Sequence, residues 1–341
     1  MSFIRFIAAL IYLCGNTALA NTQPSPLSLK GFGTFSTVGT DTDALYYRRD
    51  ILQTPGVNDE WGLDVDSRLG LQADLMINQH WHAAMQWVAR NISGNFFEQN
   101  LDWFFLRWQN DHNLSVRLGR LGLDVFLLPD YRSVGYAFLW ARPPQQFYAG
   151  LPANHFDGLD IAQKYLLDDG VLTIKGFAGH SFLQPPTFTE QTSDQSITLT
   201  GIKLMYESGN WTSRISYAYV HNNLEISALQ PLLNSLADPS INAVWPNAQN
   251  LIQHISNIDT DLHYASLGMS YDDSDWLAQS EFSYVYSDLA TYSSQLSGYL
   301  SLGKRFNKLT LYSLFSFAKS LKNHVDISEP LLPIPSVVEL K

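Results

Sequence analysis

Residues 62–90 read GLDVDSRLGLQADLMINQHWHAAMQWVAR, and this stretch decides the fold of the chain. From Leu63 to Ile77 every second residue is apolar or small, and the residues between them are mostly charged or polar. A period of two with one oily and one charged face predicts a β-strand that lies between two different solvents. Residues 78–80 then make a short turn, and residues 81–90 return with the same alternation.

The length and the charged face of this hairpin together favour a membrane barrel. A strand over 63–77 is longer than the five or six residues usual in a soluble sheet, and it could cross a bilayer at a tilt. Its charged face cannot be the core of a soluble sandwich, because unpaired buried charges are too costly. A large soluble sheet that is wet on one side would explain one such hairpin. It would not explain a pattern that recurs to residue 317.

The alternation recurs in a series of hairpins, each with a short turn between its two strands. The sequence predicts about thirteen strands, at residues 27–37, 63–77, 81–90, 101–109, 114–123, 159–167, 171–179, 197–207, 211–220, 262–271, 276–286, 296–305 and 309–317. Longer connections join the hairpins, at 91–100, 124–157, 180–195, 221–261 and 287–295. Short turns at one rim and long loops at the other are typical of outer-membrane barrels.

Aromatic residues mark the rim that carries the short turns. Trp81, Trp211 and Trp276 each begin a strand just after a short turn, and Trp108 ends a strand just before one. Tryptophan collects at membrane interfaces, so this common position indicates an interfacial girdle at the periplasmic rim. On several strands the two faces can be assigned. Residues predicted to face lipid include Ile215, Tyr217, Phe282 and Tyr284, and those predicted to face the lumen include Thr173, Lys175, Arg214, Ser216, Gln279 and Glu281.

Composition and the N-terminus agree with an exported membrane protein. The 341 residues carry a formal net charge of -11, which argues against a nucleic-acid partner. Residues 1–20 have the basic start, apolar run and small-residue cleavage site of a secretory signal peptide. The single cysteine, Cys14, lies inside that signal, so the mature chain is predicted to have no disulfide. No later apolar run is long enough for a membrane helix.

The signal segment, the glycine-containing first strand, the hairpin series and a long third outer connection together resemble the general porins of Gram-negative bacteria. The resemblance implies an all-β fold: a transmembrane antiparallel up-and-down β-barrel over residues 21–317. Such a barrel would have sixteen strands when complete. The resemblance also implies assembly as a homotrimer in the outer membrane. It also implies that the third loop, 124–157, folds into the lumen and narrows it opposite a cluster of arginines. Single-chain barrels have an even number of strands, so either the count of thirteen is wrong or the sequence is truncated by about three strands. The proline-containing tail 318–341, and a final Lys341 where porins resemble one another in ending with an aromatic residue, favour truncation.

Charged residues of the predicted inner face and of the third loop form the candidate constriction. The pore-lining set is Arg68, Arg90, Arg107, Arg117, Arg120, Asp124, Asp130 and Arg132. Fixed charges in a narrow pore orient dipolar solutes and select ions, although any hydrated face also needs polar residues. The alternation along strand 114–123 predicts that Arg117 points into the lumen and that Arg120 points outward. Either a bulge at Gly119 returns Arg120 inward, or Arg120 lies at the outer rim.

These features predict a passive diffusion channel for small hydrophilic solutes or ions, surrounded by outer-membrane lipid and without a cofactor, a metal or an enzymatic activity. The alternative is a non-conducting barrel that acts as a receptor, an adhesin or a structural protein. Apolar residues in the third loop and the long connection 221–261 could close the pore. His80 and His82 lack a third metal ligand, and no nucleophile motif accompanies His180 and Ser181, so metal and hydrolase chemistry are not supported.

Overall fold

The computed structural model describes residues 25–43, 46–53, 56–58, 60–127, 133–148, 153–186, 195–223, 230–245, 247–255, 259–287 and 292–321. Within these ranges one antiparallel sheet contains thirteen strands. They are β1 (Leu27–Thr34), β4 (Arg68–Met76), β5 (Trp81–Arg90), β6 (Leu101–Gln109), β7 (Leu114–Gly122), β8 (His155–Leu167), β9 (Gly170–Leu183), β10 (Gln195–Ser208), β11 (Trp211–Asn223), β12 (Asp259–Asp272), β13 (Trp276–Ser287), β14 (Gln295–Phe306) and β15 (Leu309–Ser320). Two further short strands, β2 (Val38–Gly39) and β3 (Trp61–Gly62), pair with each other. The signal peptide 1–20 and most of the tail 318–341 lie outside the described residues.

Neighbours in the large sheet are neighbours in sequence. The order is β1-β4-β5-β6-β7-β8-β9-β10-β11-β12-β13-β14-β15, and every described pair is antiparallel. The predicted antiparallel up-and-down fold is therefore confirmed. Within the residues that the structure describes, β1 and β15 do not pair, so the sheet is not closed.

Short connections in the large sheet use residues that tolerate left-handed backbone. Asn113, Gly209 and Asn307 have φ values of 62°, 54° and 54°, and each lies in a short turn between paired strands. Asparagine and glycine adopt this conformation at low cost. Asp273 stabilises another turn, because its Oδ1 accepts from the backbone N–H of Asp275 at 2.7 Å.

The prediction of a strand from residue 63 is wrong for its first five residues, because β4 begins at Arg68. Residues 63–67 instead satisfy backbone groups through an earlier segment of the chain. Gln53 donates its Nε2 to the Val65 carbonyl at 2.7 Å, and Ser67 donates its hydroxyl to the Ser36 carbonyl at 3.1 Å. Hydrogen bonds to side chains thus replace the ladder that a strand would supply.

A β-bulge interrupts the alternation near the start of β6. Gln86 pairs with Trp103 but Trp87 pairs with Leu101, so Asp102 is the extra residue on β6. A bulge places an additional residue on one strand and redirects its side chain. Asp102 is accordingly buried, and its carboxylate lies 2.8 Å from Arg90 Nη2.

The helices lie in the connections and are short. They are α1 (Phe96–Gln99), α2 (Gln145–Tyr148), α3 (Gln230–Leu236), α4 (Pro239–Val244) and α5 (Ala248–Ile255), and a 3-10 turn spans Gly135–Ala137. Among the described helices, none has the length and apolar character to cross a membrane. Helices α3 to α5 pack around Leu236, Trp245 and Ala248, so at least part of the 221–261 connection is a small helical unit.

Candidate functional site

The connection between β7 and β8, residues 123–154, is called the inner loop here. Its two ends meet where the Leu123 N–H donates to the Asn154 carbonyl at 3.0 Å. Between these ends the loop contacts the inward side chains of β9 to β14. Trp140, for example, donates its Nε1 to the Ser301 hydroxyl at 2.7 Å. Ser301 is only a few residues from the short turn that follows β14, so the inner loop extends far from the rim at which it starts.

Asp124 anchors the first part of the inner loop to a cluster of cations on β9, β10 and β11. Its Oδ2 lies 2.5 Å from Lys175 Nζ and also binds Lys203 Nζ, and its Oδ1 is 3.2 Å from Arg214 Nη2. Asp124 and these cations are all buried. We call this group the Asp124 cluster. The inward parity predicted for Lys175 and Arg214 agrees with their positions on the face that the inner loop covers.

The charge of Asp124 is maintained by its neighbours. Burial raises the pKa of the Asp124 carboxyl, because water no longer solvates the anion. The positive charges of Lys175, Lys203 and Arg214 outweigh burial and bring the pKa well below its usual value. Asp124 is therefore ionised throughout the physiological pH range.

Glu281 on β13 anchors two other points of the inner loop. Its Oε2 accepts from the backbone N–H of Leu127 at 2.8 Å, and its Oε1 accepts from the Tyr148 hydroxyl at 2.5 Å. Tyr299 donates to the same Oε1 at 2.7 Å. Burial, followed by the nearby Glu281 charge, raises the pKa of the Tyr148 hydroxyl well above its usual value, so the hydroxyl remains a donor.

Aromatic packing fills the space between these anchors. Phe126, Phe147 and Tyr148 from the inner loop contact Tyr264 and Tyr299 on the wall, with ring centroids 5.1–6.0 Å apart. All five side chains are buried. Aromatic pairs in tilted and edge arrangements contribute beyond the area that they bury. The inner loop is therefore packed against the wall like part of a protein core.

Glycines on the wall provide room for the loop. A Cβ at Gly268 would lie 2.8 Å from Leu127 Cγ, and a Cβ at Gly303 would lie 2.8 Å from Leu139 Cδ2. Such distances are too short for real contacts, so a larger residue at either position would push the loop away.

The opposite part of the wall, β4 to β8, carries charged pairs on its inner side. Arg117 on β7 donates Nε and Nη2 to the Asp160 carboxylate on β8, at 3.0 and 2.5 Å. Its guanidinium also lies 5.0 Å from the centre of the Phe105 ring. Arg90 pairs with Asp102, and its Nη1 donates to the Ser133 hydroxyl at 3.2 Å.

Near the long-loop ends of β4 and β5 lies a cavity of about 80 Å³. We call it the arginine pocket, because its lining includes Arg49, Arg68, Arg90 and Arg142. Asp66 accepts from Arg49 Nη1 and lies close to Arg142 Nη2, each at 3.2 Å. Arg68 lies between these groups and is only 7% exposed. Within the described residues, its Nε and Nη2 have no hydrogen-bond partner.

Arg120 lies on the outer side of β7, so its prediction as a pore-lining residue is wrong. Its Nε and Nη2 donate to the Asp157 carboxylate, both at 2.8 Å, and its Nη1 donates to the Glu98 carbonyl. Arg120 and Asp157 share a face with the exposed Leu118, whereas Arg117 and Asp160 point the other way. Gly119 does adopt a φ of +130°. That distortion does not turn Arg120 inward, because the strand keeps its parity in the pairing with β8.

The remaining predicted positions are distributed as follows. Arg107 is half-buried and lies opposite Arg117 in the pairing of β6 with β7. Asp130 and Arg132 lie outside the described residues. His80 and His82 are separated: His80 Nδ1 is 3.0 Å from the Gln109 carbonyl, and His82 Nε2 is 3.5 Å from Asp74. The described residues contain no group of three or more His, Cys, Asp or Glu side chains that could hold a metal ion.

Sequence reasoning missed Arg49 and Lys203 as members of charged clusters. Lys203 has inward parity on β10, and this signal was available. However, its face also holds Ile197 and Leu199, which resemble lipid-facing residues. Arg49 lies in an irregular segment before β3, where alternation gives no information.

Comparisons with known proteins find similar solved structures but no matching sequence family. No protein-family model matches the sequence, and none of the curated proteins matches it. Several outer-membrane porins and channels of known structure are similar to this chain. They include OmpF of Salmonella typhi in complex with daunomycin (12% identity, covering 86% of this chain and 79% of that one, TM-score 0.47), an anion-selective porin from Comamonas acidovorans (14%, 86% and 89%, 0.39) and the outer membrane channel DcaP of Acinetobacter baumannii (10%, 88% and 93%, 0.37). At these identities and TM-scores, no function and no residue role is transferred to this chain.

Proposed function

We propose that this chain is an outer-membrane channel through which small hydrophilic solutes or ions diffuse passively, without a cofactor and without covalent chemistry. One observation carries the proposal. The inner side of β4 to β8 holds charged pairs such as Arg117–Asp160, while the outer side of the same strands exposes Phe104, Leu118 and Ile161. A sheet of this kind fits an apolar surrounding on one side and water on the other.

The direct test is a planar-bilayer recording of the full-length protein refolded in lipid. We expect discrete conductance steps at a constant membrane potential, and a lumen with fixed charges should give a non-zero reversal potential in a salt gradient. Buffer from a mock refolding is the control. Absence of conductance in the wild-type protein and in a variant with a released inner loop would remove the channel proposal.

A second candidate, a closed barrel that acts as a receptor or a structural protein, is favoured by the packing of the inner loop. The loop covers the inner side of β9 to β14 with buried aromatic residues and is fixed at Asp124 and Glu281. The same recordings separate the two candidates. A silent wild type together with a conducting Asp124→Asn variant would identify a barrel closed by its own loop.

We also propose that the protein is exported by cleavage after residue 20 and assembles as a homotrimer. Support for an assembly surface comes from the outer side of β6 and β7, where Phe104 and Leu118 lie beside the exposed Phe97 of α1. Mass measurement of the detergent-solubilised protein, together with N-terminal sequencing, tests both statements. A monomer would contradict the trimer without affecting the channel proposal.

A further inference from the structure

The arginine pocket contains more positive than negative charge. Its lining carries Arg49, Arg68, Arg90 and Arg142 against the carboxylates of Asp50 and Asp66. Asp66 is shared between Arg49 and Arg142, and Arg90 is paired with Asp102. In the described part of the chain, the Nε and Nη2 groups of Arg68 are buried and have no hydrogen-bond partner.

A buried cation without a partner is costly, because desolvation of the charge is not compensated. Arg68, the first residue of β4, is only 7% exposed, so bulk water does not solvate its charge. Arg90, its cross-strand partner in the pairing of β4 with β5, has an unsatisfied Nε as well. Like charges directly opposite one another on paired strands are destabilising unless something compensates them.

The donors and the dimensions of the pocket define a class of ligand. A guanidinium presents its N–H groups in a planar fork that matches the paired oxygens of a carboxylate, a phosphate or a sulfate. A water needs about 10–15 Å³ of such a cavity, so about 80 Å³ holds a few waters or one small anion. Gln53 and Ser67 also line the cavity, but they already donate to the Val65 and Ser36 carbonyls, so the guanidinium groups supply the donors for such an anion.

We infer that the arginine pocket binds one small oxyanion, a carboxylate or a tetrahedral anion such as phosphate, between Arg68 and Arg90. The bound anion would join segments that are far apart in sequence. Arg49 and Asp66 precede β4, whereas Ser133 and Arg142 belong to the inner loop. The ligand therefore connects the mouth of the barrel to the inner loop. This inference does not depend on conduction, because binding is measured without ion flow.

The test is anion binding by the full-length protein refolded in lipid vesicles. Sodium phosphate, sodium sulfate and sodium acetate are titrated separately against sodium chloride at constant ionic strength, with heat of binding and the urea unfolding midpoint as readouts. We expect saturable binding of at least one oxyanion and a midpoint that rises with its concentration. Comparison among the three salts distinguishes carboxylate from tetrahedral ligands.

Arg68→Gln is the decisive variant, and Arg305→Gln is its matched control, because Arg305 pairs with Asp272 near the short turn between β12 and β13 and is remote from the pocket. We expect Arg68→Gln to weaken binding at least tenfold and Arg305→Gln to leave it unchanged. Arg68→Lys keeps the charge but loses the fork, so an intermediate affinity is expected. Without oxyanion, Arg68→Gln should unfold at the same or a higher urea concentration than wild type, because a buried unpaired charge is gone.

Three results would overturn the inference. One is a midpoint that responds equally to chloride and to every oxyanion, which would indicate general screening. Another is equal loss of binding in Arg68→Gln and Arg305→Gln. The third is the absence of saturable binding of phosphate, sulfate and acetate by the wild type.

Discussion

The wall formed by β4 to β8 and the wall formed by β9 to β14 have similar outer faces but different inner ones. Both expose apolar side chains outward, such as Leu118 on the first and Phe282 on the second. Inside, the first wall presents charged pairs such as Arg117–Asp160. The second is covered by the inner loop and keeps its ions at two anchors, Asp124 and Glu281.

This difference shows that the alternation predicts the outward residues of a strand more reliably than the inward ones. Outward residues are apolar on both walls, whereas inward residues are charged on one wall and partly apolar on the other. On the covered wall the inward residues Leu199, Ala218 and Val285 are apolar and belong to one buried cluster with Phe126 and Trp140 of the inner loop. Burying an aliphatic side chain of this size contributes about 1.5–3 kcal/mol relative to exposure. The covered wall therefore holds the loop by packing, and its charges fix the position.

The largest expected effect comes from breaking the Asp124 cluster. Asp124→Asn removes the anion from a site where Lys175, Lys203 and Arg214 are buried, and loss of one partner of a buried pair costs about 3–5 kcal/mol. We expect the free energy of unfolding to fall by this amount in urea titrations of vesicle-embedded protein. Asp168→Asn, in the exposed turn between β8 and β9, is the control and should change it by less than about 0.5 kcal/mol. A loss below about 1 kcal/mol for Asp124→Asn would mean that packing alone holds the loop.

The stability difference between wild type and Asp124→Asn should decrease only at low pH. The folded-state pKa of Asp124 is lowered, so its contribution is fully present above the unfolded value of about 3.9 and is lost as pH falls through the folded value. The difference in unfolding free energy between wild type and Asp124→Asn should thus be constant from pH 7 to about pH 5 and shrink below about pH 4. Chemical denaturation across this range measures it. A difference that already declines between pH 7 and 5 would contradict the assignment.

A smaller effect is expected from overfilling the contact between loop and wall. Gly268→Ala places a Cβ against Leu127, and overpacking costs about 1–3 kcal/mol. Gly176→Ala is the matched control on the other face of the sheet, where the nearest atom to a Cβ is the Gly201 carbonyl oxygen at 3.9 Å. Gly268→Ala should therefore have a lower urea unfolding midpoint than Gly176→Ala. Equal midpoints would show that the inner loop adjusts freely.

The smallest change in stability is expected for Arg117→Gln, which tests ion selectivity at the wall formed by β4 to β8. Arg117→Gln leaves Asp160 with Lys175 at 3.3 Å, so folding should be retained while the inner wall loses a positive charge. Its reversal potential in a salt gradient should shift toward cations. Arg120→Gln removes an outward pair with Asp157, which is worth about 0–1 kcal/mol, and should leave the potential unchanged. A shift of equal size in both variants would place Arg120 in the ion path.

The alternation predicted the existence and order of the strands well, because a strand with different surroundings on its two faces must alternate along its length. It extended β4 back to Leu63 because it could not recognise that Gln53 donates to the Val65 carbonyl and that the Ser67 hydroxyl donates to the Ser36 carbonyl. The site was harder to predict. Asp124 and Arg90 meet their partners through contacts distant in sequence, and the bulge at Asp102 has no marker in a single sequence.

The anchors of the inner loop also impose an order on folding. Asp124 meets Lys203 and Arg214 across 79 and 90 residues, Leu127 meets Glu281 across 154, and Trp140 meets Ser301 across 161. Each contact needs a wall strand that is synthesised long after the loop, and closing such long segments carries an entropic cost before any contact repays it. The inner loop therefore docks late, after β9 to β14 have paired, and until then its aromatic residues are exposed to any partner that recognises unfinished barrels.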